Sequence, residues 1–132
     1  MLPSSTPRLM LAIGSRSPRA RALIDAAAKL AAQIHATWFV VHVRQPMVLH
    51  YRMPATENPV PEADLDYARN LGGRVIVENG DLLQTLVSFA SKMGIEYLVT
   101  GRSLRPLISF VWQLPLTERI QRKLPNVIVI TA

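Results

Sequence analysis

Five short apolar runs punctuate the chain: Leu9 to Ile13, Trp38 to Val43, Arg74 to Val77, Ile95 to Thr100 and Val127 to Ile130. Most are rich in Val and Ile and lack polar alternation, which is the pattern of strands covered on both faces by helices in a parallel sheet. The stretches between them carry helical periodicity. The first predicted helix has Ser17 as N-cap and Pro18 in its first turn, with Leu23, Ala27, Leu30 and Ile34 on one face. A second follows Pro61, from Glu62 to Leu71, and stops at Gly72-Gly73; a third opens at Asp81 and ends before Gly94, with Leu83, Leu86, Val87 and Ala90 apolar. The fourth, Leu116 to Leu124, spaces Leu116, Ile120 and Leu124 four apart, with Arg122 and Lys123 in its last turn and Pro125 just beyond. Strands and helices alternate, so the expected architecture is one α/β domain over residues 1–132.

Composition narrows the picture. A chain of 132 residues with 49% hydrophobic content can fill one core and is short for two. Without cysteine there is no disulfide or thiolate metal site, and His35, His42 and His50 lack metal-ligand spacing, so no metal is expected. The apolar run after the polar start is far below the roughly 20 residues of a membrane span and too short for a signal peptide, which predicts a cytoplasmic domain with no transmembrane segment.

Charge is uneven. Residues 1–52 hold seven Lys/Arg against one acid, residues 53–100 hold three against seven, and residues 101–123 hold five against one. Brought together, the two basic thirds would make a positive patch for phosphates or a membrane surface; kept apart, they are a solvated basic surface. No recognised nucleic-acid motif accompanies the charge, so no nucleic-acid partner is expected.

The turn Gly14-Ser15-Arg16-Ser17-Pro18 stands between the first strand and the first helix. There the unpaired N–H groups and positive dipole end of a helix face the strand's end, a ready anion site. The connection 44–61 holds four of the ten prolines, with Met47, Tyr51 and Met53, and reads either as a binding segment or as a solvated loop. Catalysis finds no support: there is no Gly-x-Ser-x-Gly elbow, P-loop lysine or carboxylate pair near the turn, and Asp81 and Glu118 read as a helix cap and a surface charge. The expectation is that the domain is not an enzyme.

Several motifs together resemble universal stress protein domains: Val41-His42-Val43-Arg44-Gln45-Pro46, Gly80-Asp81, and Gly94 through Gly101-Arg102-Ser103. The likeness spans nearly the whole chain. Its ending, Leu116-Thr117-Glu118-Arg119-Ile120 followed by Leu124 to Ile130, most resembles the stress-protein domain of KdpD-type potassium-sensing histidine kinases. The resemblance implies a three-layer, Rossmann-like sandwich of the adenine nucleotide alpha hydrolase type, with a five-stranded parallel sheet in the order 3-2-1-4-5 and ligand across the carboxyl ends of strands one and four. That is where the strand order reverses, the expected crevice of an open α/β sheet. It further implies a sensor domain in potassium or osmotic-stress two-component signalling, with ATP or cyclic di-AMP as its ligand.

The residues placed at this site are Gly14, Ser15, Arg16 and Ser17 on one side, His42 and Val43 at the end of the second strand, and Gly101, Arg102, Ser103 and Arg105 after the fourth. Arg16, Arg102 and Arg105 would supply the positive field for a polyphosphate. ATP-binding members carry a glycine pattern after strand four of which only Gly101 is kept: Leu104, Leu114 and Pro115 occupy the later glycine and hydroxyl positions, and Gly14 replaces an aspartate. Cyclic di-AMP-binding members use Ser-x-Ser and, twenty residues on, an aromatic motif. Ser15-Arg16-Ser17 fits the first part, and Trp38-Phe39-Val40-Val41-His42 falls at the second, with His42 to stack on or hydrogen-bond adenine. On the residues alone, Ser17 is equally a helix cap, Trp38 a core aromatic and His42 a satisfied polar group. The alternative reading is a nucleotide-free module of the same fold that dimerises through Val127 to Ile130 or binds a kinase or stress-protein partner, with the apolar stretch Leu107 to Leu116 as a contact surface.

Overall fold

The computed structural model of the chain describes residues 6–13, 19–44, 60–101 and 116–131. In chain order the elements are β1 (Arg8–Ile13), α1 (Ala20–Ile34), β2 (Thr37–Arg44), α2 (Glu62–Asn70), β3 (Arg74–Asn79), α3 (Leu82–Met93), β4 (Tyr97–Thr100), α4 (Leu116–Lys123) and β5 (Ile128–Thr131). The strands form one all-parallel sheet in the order β3-β2-β1-β4-β5. This is the sheet the resemblance implied.

Side-chain alternation along β1 divides the interior into two cores. Leu9, Leu11 and Ile13 face Leu23, Ile24 and Ala27 of α1 and Leu65 and Ala68 of α2. Met10 and Ala12 face the other way, toward Leu86 and Ala90 of α3, Ile120 of α4 and Leu124 just beyond it. A single crossover hand explains the segregation. The chain steps outward from β1 to β2 to β3, then returns across the sheet to β4 and β5, and reversing direction at constant hand moves the later helices to the opposite face. Adjacent aromatics on β2 split accordingly: Trp38 enters the α1/α2 core, whereas Phe39 enters the α3/α4 core and meets Phe89 edge to face at 5.6 Å.

Helix ends follow local chemistry. Asp81 caps α3, its carboxylate accepting from the Gln84 N–H at 2.9 Å, and Gly94 closes the helix in the left-handed region (φ 64°). At α1 the structure departs from the expected start. The helix begins at Ala20 with Arg19 as its N-cap residue, whose side chain makes no cap bond and whose carbonyl accepts from the Leu23 N–H. Ser17 and Pro18 lie outside the described residues. The far end closes on His35, a non-glycine residue at φ 55°.

The burial expectation also needs correction at the sheet margins. β1, β2 and β4 are buried on both faces apart from their outer residues, but β3 and β5, for all their Val and Ile, are edge strands. Val77 is 39% exposed and Ile128 54% exposed. Strand order decides that the apolar residues of these two runs are not covered on both sides.

Candidate functional site at the carboxyl edge of the sheet

Three strand ends converge where the order reverses: Ile13 on β1, His42 and Val43 on β2, and Thr100 followed by Gly101 on β4. The register places Ile13 beside His42 and Ala12 beside Thr100. The start of α1 faces the same edge and its N-cap residue Arg19 makes no side-chain cap bond, so its first-turn N–H groups and dipole present the partial positive charge that an anion seeks. Arg19, exposed at that N-cap, adds a full charge beside them, as does exposed Arg44 at the end of β2. Of the residues expected to form the site, His42, Val43 and Gly101 are described; Gly14, Ser15, Arg16, Ser17, Arg102, Ser103 and Arg105 lie outside the described residues, as do Leu104, Leu114, Pro115 and most of the apolar stretch Leu107 to Leu116.

Gly101 is buried against α1. A Cβ built on it would stand 2.7 Å from Leu23 Cδ1, so the absence of a side chain lets α1 pack directly on the end of β4. The contact draws together the two segments that flank the crevice. It also supplies a reason for glycine at this position that needs no phosphate.

His42 is fully buried on the α1/α2 side and uses both ring nitrogens. The Val60 backbone N–H donates to Nε2 at 3.2 Å. Since an amide N–H can only donate, Nε2 is the bare nitrogen, the proton sits on Nδ1, and Nδ1–H donates to the Ile13 carbonyl at 3.1 Å. Burial holds the imidazole below its usual basicity; the bond to Ile13 opposes this, and Arg44 adds to the depression. Neither nitrogen is left over for a ligand in this arrangement. Val43, beside it, is buried in the opposite core. Trp38 and Phe39, aligned by spacing with an adenine-contacting motif, are both core residues. Their rings are consumed by packing, as the structural alternative for Trp38 had it.

Thr100 is a group that sequence inspection does not single out. Its side chain is buried on the same face as Ala12 and Leu98, and among the described residues its hydroxyl is the one buried side-chain polar atom with no hydrogen-bond partner. The described residues contain no group of three or more His, Cys, Asp or Glu that could hold a metal. Nor do they contain a helix long and apolar enough to cross a membrane.

No protein-family model matches the chain. No curated protein sequence matches it either. Solved structures do. A universal stress protein in complex with cAMP superposes with a TM-score of 0.68 at 17% identity, over 98% of both chains. A universal stress protein family member from Burkholderia pseudomallei matches with a TM-score of 0.62 at 18% identity, over 99% of this chain and 98% of that one. The universal stress protein from Archaeoglobus fulgidus in complex with dAMP matches with a TM-score of 0.54 at 17% identity, over 96% of each. The chain has the universal stress protein fold. At these identities the likeness concerns the fold, and within it the reversal between β1 and β4 is where the three strand ends and the start of α1 come together.

Proposed function

We propose that this chain is a non-enzymatic regulatory domain that binds an adenine nucleotide across the carboxyl ends of β1 and β4. The supporting observation is the strand reversal itself: an open α/β sheet takes its ligand at that point, and here the start of α1 and Arg19 face it. Proteins of the same fold are complexed with cAMP and with dAMP, which makes adenine nucleotides the class to test.

In this reading Ser15 and Ser17 donate to phosphate oxygens, while Arg16, Arg102 and Arg105 replace by charge what glycine backbone would provide at Leu104 and Leu114. ATP and cyclic di-AMP are the two ligands to compare. The likeness of Leu116 to Ile120 and Leu124 to Ile130 to KdpD-type domains supports a setting in potassium or osmotic-stress two-component signalling, with a kinase as parent or partner.

Calorimetric titration with ATP, ADP, cAMP and cyclic di-AMP, repeated on Arg102→Ala, tests the proposal. Saturable binding weakened by the substitution is the expected result. A second reading, a nucleotide-free dimerising module, is favoured by one observation: β5, an edge strand among the described residues, exposes Ile128. No binding of any of the four, with a concentration-dependent dimer in ultracentrifugation, would select it.

A further inference from the structure

The two hydrogen bonds of His42 do different work. Val60 directly precedes Pro61 and α2, so the bond from its amide anchors the approach to that helix. By occupying Nε2 it also fixes the ring proton on Nδ1. The other bond lands on Ile13, the last residue of β1, at the end of the central strand. A peptide unit is planar, so a donor that holds the Ile13 carbonyl fixes the plane in which the chain leaves the strand.

We propose that His42 is a positioning residue for the crevice: through Nδ1–H it holds the Ile13 carbonyl and so aims the exit of β1 at the reversal point, while Val60 keeps the ring in the tautomer that can donate. The proposal rests on the adenine-nucleotide reading above. It assigns His42 a role behind the site rather than against the ligand.

Charged groups on the surrounding elements leave the ring to these two bonds. On α1 and α2, Arg21 pairs with Asp64, Asp25 accepts from Tyr67, and Glu62 and Asp66 pair with Arg69. Arg19 at the N-cap of α1, Lys29 within it and Glu78 of β3 make no hydrogen bond to the ring, and Arg44 at the end of β2 only disfavours its cation. Protonation at Nε2 therefore has one local consequence: it removes the acceptor for Val60 and leaves Nδ1–H on Ile13.

Two half-mimics separate the bonds. Asparagine offers an amide donor near the Nδ1 position, and glutamine reaches the Nε2 position with an acceptor. Wild type, His42→Asn and His42→Gln are each titrated with ATP and with cAMP, alongside thermal melts and amide exchange at Val60. The expected result is similar loss of melting temperature in both variants, nucleotide affinity within about threefold of wild type for His42→Asn, and a loss of about tenfold or more for His42→Gln, as misdirection of a binding segment produces. Val60 should exchange faster in His42→Asn only.

A further readout needs no substitution. As His42 is protonated, followed by its ring NMR shifts, Val60 should lose protection while cAMP affinity, read at pH values above the titration of the cAMP adenine, stays flat. Equal affinity losses in the two variants, unchanged affinity in both, or cAMP affinity falling in step with protonation would each overturn the positioning role and leave the nucleotide reading standing. A wild type that binds neither ATP nor cAMP would instead overturn that reading, and the positioning role with it.

Discussion

The indole of Trp38 occupies the space that a side chain on Gly73 would need: a Cβ there would stand 2.8 Å from Cη2 and 3.0 Å from two further ring carbons. The ring is rigid and buried in the α1/α2 core, so it cannot swing aside as an aliphatic tip could. Gly73→Ala should cost about 1–3 kcal/mol by overpacking, measured by urea denaturation. Adding Trp38→Phe should recover part of that loss, because the smaller ring vacates the clash. Strict additivity of the two substitutions would count against the contact.

Stability should depend on pH through His42. Its folded-state basicity lies below the ordinary imidazole value near 6.5, with burial the largest cause. Above that value both states are neutral and the contribution is complete. As pH falls through it, the unfolded chain takes up the proton first, so stability declines until the folded-state value is passed. Urea midpoints between pH 7.5 and 5 should fall more steeply for wild type than for His42→Gln, which cannot titrate. Parallel curves would show that the ring is not held neutral.

Thr100→Val should leave stability unchanged or raise it by up to about 1 kcal/mol, because it removes a buried hydroxyl that has no partner among the described residues and keeps the shape of the side chain. A loss beyond about 1 kcal/mol in chemical denaturation would mean that the hydroxyl is hydrogen-bonded in the folded protein.

His35 closes α1 in the left-handed region at φ 55° and is exposed. Glycine adopts that conformation without the Cβ penalty, so His35→Gly should stabilise by about 1 kcal/mol, seen as a higher melting temperature. His35→Val should shift it the other way.

Much of this architecture is legible in the chain because burial and local turn chemistry speak directly in residue types. The apolar runs from Leu9, Trp38 and Ile95 mark the central strands, and Asp81 and Gly94 mark both ends of α3. Other features depend on partners far away in sequence. Val75-Ile76-Val77 reads like an interior strand, yet strand order puts it on the margin. The Ser17-Pro18 pair has the grammar of a helix start, but the residue at the N-cap is Arg19. A glycine at 101 fits a close approach by phosphate or by a neighbouring helix equally well, and only Leu23 distinguishes them. At His42 the deciding partner is the backbone of Val60, across a connection whose course no periodicity predicts.

The sheet order also dictates an assembly sequence during synthesis. Leu9 of β1 pairs with Trp38 on one side and with Tyr97 on the other. The central strand is thus the first of the five to be made, and its second edge stays open until β4 follows. Through that interval a strand apolar from Leu9 to Ile13 is protected on one side only, while the closing contact is non-local and correspondingly slow. The strand most deeply buried in the finished domain is the one most exposed to misassociation while the domain is being built.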